Sequence, residues 1–213
     1  MVNRLTKLTL LFSLCSCTAS VSLHSGGSSS PQLQDTILVD REGNKYPVKV
    51  LAGGKVWMTA NLKLNFPNSF CYDNNSRNCD QYGRLYQWES ARQACKTLGN
   101  GWQLPGKIDW QELSNIYGGG GSDSIRTRKE AYHSLLPAGK SGFDVVLGGG
   151  RGPDGDFARI DAHGFYWMST ESDSLTAEFA NFAKSSQALY LQDDGEKTRA
   201  FSVRCVKNKA GLK

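Results

Sequence analysis

A cysteine at position 17 stands where acyl chains can be attached. Leu14-Cys15-Ser16-Cys17 places a large aliphatic residue, two small ones and a cysteine in succession. Ahead of it lie the positive pair Arg4 and Lys7 and the apolar run Leu8 to Leu14. The run is too short to span a bilayer, so it reads as a bacterial lipoprotein signal that is removed on processing. Residues 1–16 are then the signal peptide, and Cys17 is the lipidated first residue of an exported chain. Several acyl chains on one cysteine give stable membrane anchoring where a single chain does not. Thr18 is not the Asp that retains lipoproteins at the inner membrane, which points to the outer membrane. No acidic cluster follows Thr18 to select either leaflet.

Export changes what the other cysteines do. Cys71, Cys79, Cys95 and Cys205 are an even set, and an oxidising compartment favours two disulfides from three possible connectivities. Cys71 and Cys79 flank a loop of Tyr, Asp, Asn, Ser and Arg that turns back on itself. The simplest pairing is therefore Cys71–Cys79 locally and Cys95–Cys205 over long range. A zinc site is disfavoured, because there is no Cys-x-x-Cys and His24, His133 and His163 show no ligand spacing.

Other chemistry is thinner. Asp73 and Asp80 in the first cysteine loop, and Asp154 and Asp156 in Pro153-Asp154-Gly155-Asp156, are the oxygen-rich candidates for a calcium ion. The same residue types also build tight turns. Ser169-Thr170-Glu171 near Asp161 and His163 lacks a nucleophile elbow, and His163 reads as a packing histidine. The runs Gly118–Gly121 and Gly148–Gly150 lack the Lys-Ser/Thr of a phosphate loop and read as mobile connections. Lys107, Asp109 and Glu112 read as a solvated helix face. No acid–base or nucleophile set assembles, so the expectation is a protein that is not an enzyme. Tyr72, Tyr117, Tyr132 and Phe143 fall in loop contexts and are the expected ligand-binding aromatics.

The elements that hold these residues follow from pattern. Of 213 residues, 25 are Lys or Arg and 20 are Asp or Glu. The exported chain carries +3, the total of +5 less Arg4 and Lys7, with basic residues dispersed, so no nucleic-acid partner is expected. Residues 17–35 are a Ser- and Gly-rich tether, with a root-mean-square reach of roughly 20–25 Å for about eighteen residues. The domain, 36–213, opens with a hairpin: Ile37-Leu38-Val39, a turn at Asp40–Asn44, and Lys45–Leu51, in which Pro47 suggests an edge strand. Lys55–Met58 is a further strand. Leu85, Trp88, Ala91, Ala94 and Cys95 fall at helical spacing, as do Trp110, Leu113, Ile116 and Tyr117 between Pro105 and the glycines that follow. Trp57, Trp88, Trp102, Trp110 and Trp167 are expected core. Phe143–Leu147, Gly164–Ser169 and Ala200–Val206 read as short strands, which completes an α+β arrangement.

An ordered series of fragments now resembles one family. Val56-Trp57-Met58 with Asn61-Leu62 is followed by Tyr82-Gly83-Arg84-Leu85-Tyr86-Gln87-Trp88 and Gly101-Trp102-Gln103-Leu104-Pro105. Asp109-Trp110, Gly142-Phe143, Gly164-Phe165-Tyr166-Trp167 and Ser202-Val203-Arg204-Cys205-Val206 continue it. The series, from about Asp40 to Val206, resembles the Fibrobacter succinogenes major paralogous domain, found in extracellular proteins of Bacteroidetes and Fibrobacteres. That family looks like a branch of the C-type lectin fold, in which a cysteine of the first helix bonds one on the last strand, as Cys95 and Cys205 would. The resemblance implies a small twisted antiparallel sheet, two flanking helices and a long loop region from about Gly118 to Gly164. The calcium-ligating Glu-Pro-Asn, Gln-Pro-Asp and Trp-Asn-Asp tripeptides of sugar-binding C-type lectins do not occur. Formylglycine-generating enzymes share the superfold but need a redox-active cysteine pair for copper, and two structural disulfides leave none. Fold alone does not give function. The reading is a lipid-anchored, non-catalytic module that recognises glycan or protein through its long loops, the alternative being a structural envelope lipoprotein without a soluble ligand.

Overall fold

In the computed structural model, Asp40 builds the first hairpin with its own carboxylate. One oxygen accepts from the backbone N–H of Glu42 and Asn44 at 2.9 and 3.0 Å, the other from Tyr46 Oη at 2.7 Å and Asn44 Nδ2 at 2.9 Å. This Asx-type closure fixes the turn between strands β1 (Thr36–Val39) and β2 (Lys45–Val50). The structure describes Met1, residues 36–120 and residues 123–209. The expected signal peptide, Cys17, the tether with His24, and Gly121 lie outside the described residues. The chain divides into units Met1–Gln32 and Leu33–Lys213, and the described strands and helices all belong to the second.

The remaining strands are β3 (Lys55–Met58), β4 (Ser69–Phe70), β5 (Leu85–Gln87), β6 (Gly148–Arg151), β7 (Phe157–Ile160), β8 (His163–Glu171), β9 (Thr176–Ala183), β10 (Ala188–Glu196), β11 (Ala200–Phe201) and β12 (Val206–Asn208). Helices are α1 (Ser76–Tyr82), α2 (Trp88–Thr97), α3 (Lys107–Tyr117) and α4 (Ile125–Leu135). One sheet runs β1-β2-β3-β12, the other β10-β9-β8-β6-β11-β5-β4 with β7 paired to β6. The strand pairs are antiparallel apart from β6 and β8, which meet in parallel at Gly149 and Gly164. The protein is therefore α+β, with two sheets among the described residues in place of the one small sheet expected.

Both expected disulfides form. Cys71 and Cys79 lie 5.0 Å apart at Cα, Cys95 and Cys205 5.6 Å. Cys95, Cys205, Trp88, Trp102 and Trp167 share one core cluster with Met58, Leu62 and Tyr86. A second cluster centres on Trp110, whose ring meets Trp57 at 5.4 Å and Phe143 at 5.8 Å. All five tryptophans are buried.

Several expectations are corrected. Pro47 lies on an interior strand. Its carbonyl accepts from Thr59 where the β2–β3 ladder ends, so the missing N–H costs no central bond. Leu85 belongs to β5, and the helix carrying Cys95 starts only at Trp88. Ile116 of α3 is exposed, whereas Asp109 is buried, where it accepts from Gly106 N–H at 2.7 Å and pairs with Lys55. Lys107 pairs with Glu178 at 2.7 Å. The Gly118–Gly164 region is not one loop. It contains α4, capped by Ser124 accepting from Thr127 N–H, and β6. Phe143–Leu147 forms no strand, with only Phe143 and Val145 buried, and the run Gly148–Gly150 is itself a strand within the large sheet. Helix α1 begins inside the Cys71–Cys79 loop, where the sequence pattern shows only a turn.

Candidate functional site

Strands β8 and β9 alternate between two faces of the large sheet. Tyr166, Met168, Ala180 and Phe182 point into the core built with α3 and α4. Phe165, Trp167 and Phe179 point to the opposite side and join Phe201 of β11. Trp167 is closed over from the α2 side, where Trp88 Nε1 donates to the Met168 carbonyl at 2.8 Å. Further along that face lies a groove of about 480 Å³.

Its floor is aromatic. The Phe165 ring stacks on Phe201 at 5.0 Å and on His163 at 5.2 Å, and Phe179 stands at 5.1 Å from Phe201. Gly150 lets β6 cross beneath this stack. A Cβ there would meet two Phe201 ring atoms at 3.1 Å and Phe165 at 3.2 Å.

The walls are polar and carry both signs of charge. Arg151, Arg159 and Arg199 stand with Asp154, Asp156 and Asp194, beside Asn181 and Gln192. Arg151 is held over the Phe70 ring at 4.1 Å, and Arg199 reaches Glu196 at 3.3 Å. A relay crosses the strands: Arg159 Nη1 to His163 Nε2 at 3.3 Å, His163 Nδ1 to Asn181 Oδ1 at 2.9 Å, and Asn181 Nδ2 to Gln192 Oε1 at 2.7 Å. A guanidinium only donates, so His163 accepts at Nε2 and its Nδ1–H donates to Asn181. The relay holds Asn181 and Gln192 in one orientation. It therefore presents fixed donors and acceptors to whatever enters.

The aromatics expected to bind ligand do not form a surface. Tyr72, Tyr132 and Phe143 are 7%, 3% and 0% exposed. Tyr72 packs on Phe157 at 5.3 Å, Tyr132 near Phe182, and Phe143 against Trp57 and under the Arg204 guanidinium at 4.4 Å. Tyr117 is partly buried against the second core cluster, and burial raises its phenol pKa. Rings of this size gain more by filling the core than by lying in loops. Among the carboxylates, Asp154 and Asp156 line the groove, while Asp80 lines a separate cavity of about 290 Å³ and Asp73 is exposed in the cysteine loop. Asp154 Oδ1 accepts from Asp156 N–H at 3.1 Å, closing its own turn. Among the described residues, no three His, Cys, Asp or Glu side chains gather as ion ligands. His163 is a satisfied packing histidine, as expected: partly exposed, it stacks on Phe165 and is hydrogen-bonded at both ring nitrogens within the relay.

The groove residues that the sequence reading missed had one signal. His163 and Phe165 on β8, and Phe179 and Asn181 on β9, sit at period two among apolar neighbours, so a polar residue shares a face with a ring. Away from the groove, the buried cation Arg204 uses its guanidinium on Asn61 Oδ1 at 2.8 Å and on the carbonyls of Phe143 and Asp144. Desolvation lowers its pKa. Arg204 thus ties the last strand region to the segment after α4.

Among the described residues, no helix is long and apolar enough to cross a membrane. No curated protein and no solved structure matches the chain. Residues 50–207 match the model of the Fibrobacter succinogenes major domain, from the end of β2 into β12, and include the groove, both disulfides and Arg204. With well over half of its length matched, the chain belongs to the Fibrobacter succinogenes major domain family.

Proposed function

We propose that this protein is a lipid-anchored, extracytoplasmic, non-catalytic binding module that takes a neutral, hydroxyl-rich ligand, a glycan, in the groove on its large sheet. One observation carries the reading: an aromatic floor beneath walls of balanced charge. An acidic ligand would meet Asp154, Asp156 and Asp194, and a basic one would meet Arg151, Arg159 and Arg199. Sugar hydroxyls both donate and accept, so they satisfy carboxylates and guanidiniums alike. The apolar faces of sugar rings match Phe165 and its neighbours. The volume lies in the range of small-molecule sites.

The lipobox ending at Cys17 supports an anchor in the outer membrane, with the domain presented to the periplasm or the cell surface. A C-type lectin-like arrangement is supported by the bond from Cys95 of α2 to Cys205 just before β12, and by Trp102–Pro105 leading into α3. Calcium is not required by this reading, because protein groups alone supply the hydrogen-bonding set.

The test is a glycan array probed with the oxidised chain, with calcium and with a chelator. Saturable binding to neutral glycans in both conditions is expected. Absence of binding in both would favour a structural envelope role. For that second reading, the observation is the outer strand β1, whose Ile37 and Val39 project on one face at 50% and 52% exposure.

A further inference from the structure

The two disulfides stand in opposite surroundings. Cys95 and Cys205 are completely buried in the main core, where no attacking thiolate can reach them. Cys71 is only half-buried, and its bond to Cys79 lies under the guanidinium of Arg84. Arg84 is pinned there by Ser69: Nε donates to Ser69 Oγ at 2.9 Å and Nη2 to the Ser69 carbonyl at 2.8 Å. Its third nitrogen, Nη1, then points at both sulfurs, 3.5 Å from Cys71 Sγ and 3.7 Å from Cys79 Sγ. A disulfide sulfur is a weak acceptor, whereas a thiolate beside an arginine is strongly stabilised. The fixed cation therefore favours the reduced pair over the oxidised one, and it improves whichever sulfur leaves during exchange.

We propose that Cys71–Cys79 is a thiol–disulfide exchange site, open to a dithiol-bearing partner, while Cys95–Cys205 stays a permanent staple. The partner's thiolate attacks Cys71 Sγ, forming a mixed disulfide and expelling the Cys79 thiolate beside Arg84. The partner's second thiolate then attacks its own sulfur in that mixed disulfide and expels the Cys71 thiolate. The partner loses two electrons and ends as a disulfide. Cys71 and Cys79 gain those electrons, and the partner's two thiol protons pass to them or to solvent. The consequence is local. The bond closes the segment holding Tyr72 and the first half of α1; Tyr72 packs on Phe157, and Tyr82 at the far end of α1 donates from Oη to Asp161 at 2.8 Å. Reduction loosens this seam behind β6 and β7. The site stands whether or not the groove binds a glycan.

The test uses the full, oxidised chain in graded glutathione or a CxxC dithiol protein, followed by alkylation and mass-spectrometric mapping. Cys71 and Cys79 are expected to be labelled together at reductant levels that leave Cys95 and Cys205 unlabelled. Arg84→Met should raise the reductant needed for half-reduction of that pair about tenfold, the scale of one hydrogen bond to a charged group. Labelling of all four cysteines at one threshold would overturn the proposal, as would an unshifted midpoint in Arg84→Met. Should Arg84→Met fail to fold, Arg84→Lys keeps the charge without the Ser69 grip. An intermediate midpoint supports the proposal, and a midpoint equal to wild type refutes the role of the fixed guanidinium.

Discussion

Replacing Gly149 by Ala tests whether the glycine run is a packed strand or a slack connection. Gly149 has φ +64°, and a Cβ there would sit 2.5 Å from the Ala158 carbonyl oxygen, 2.7 Å from Ile160 N and 2.9 Å from Tyr72 Cε2. Two of these atoms are backbone of the paired strand β7 and cannot swing away. The left-handed conformation costs an alanine roughly 1–2 kcal/mol. Overpacking adds roughly 1–3 kcal/mol, giving about 2–5 kcal/mol in all. For a chain of this size that lowers the melting temperature by roughly 6–15 °C. Two other glycines separate the contributions. Gly43 has φ +81°, and a Cβ there would meet nothing within 4 Å among the described residues, so Gly43→Ala isolates the backbone cost, about 1 kcal/mol after the gain from a stiffer unfolded chain. Gly148 has no positive φ, and its Cβ would stand 3.3 Å from Ser202 Oγ, so Gly148→Ala should cost under about 1 kcal/mol. Urea and thermal unfolding of the three variants give the ranking. A Gly149→Ala protein that melts within a degree or two of Gly43→Ala would refute the packing argument.

Removing the Cys95–Cys205 bond with paired serines should cost about 5 kcal/mol, and removing Cys71–Cys79 about 2.5, by loop-closure entropy, read from denaturant midpoints. Among the described residues, Ser202 Oγ has no hydrogen-bond partner although it is buried, so Ser202→Ala should leave the melting temperature unchanged or raise it. At Asp40, burial pushes the carboxyl pKa up, but hydrogen bonds from Tyr46, Asn44 and Glu42 outweigh it and hold the group below its ordinary 3.8. A depressed folded value contributes stability above the unfolded value and loses it as pH falls through the folded one. The stability gap between wild type and Asp40→Asn should therefore be wide at neutral pH and close as pH drops below 3.8.

What the sequence made legible was what depends on local pattern or on chain closure. Asp40 to Asn44 spells a turn, the spacing of Trp110 and Leu113 spells a buried helix face, and the turn-forming loop between Cys71 and Cys79 picks out one pairing of the four cysteines. The family resemblance rested on tryptophans and glycines whose packing the structure bears out. Helix α4 was illegible because its buried face is only Ala131, Tyr132, Ser134 and Leu135, with Arg126, Arg128, Lys129 and Glu130 dominating the text. The strand at Gly148–Gly150 carries no side chains, so it has no periodicity to read. Its strand character comes from its neighbours Phe157–Ile160 and Gly164, with Ala200 pairing beside it at Arg151. The groove escaped for a related reason: Arg151, Phe165, Asn181, Gln192 and Phe201 come from five strands that only tertiary pairing brings together. Exposed loop aromatics were the wrong guide, since Tyr72, Tyr132 and Phe143 gain more from burial than from display.

The most direct measurement is equilibrium titration of neutral oligosaccharides into the oxidised chain and into Asn181→Ala, both with a chelator present. Asn181 links His163 to Gln192 in the groove wall, so its removal frees both partners from their fixed orientation. Saturable binding without calcium is expected, with at least about tenfold weaker binding by Asn181→Ala, the worth of one or two lost hydrogen bonds. Binding that is equally tight in the two proteins, or no saturable binding to either, would contradict a glycan site in this groove.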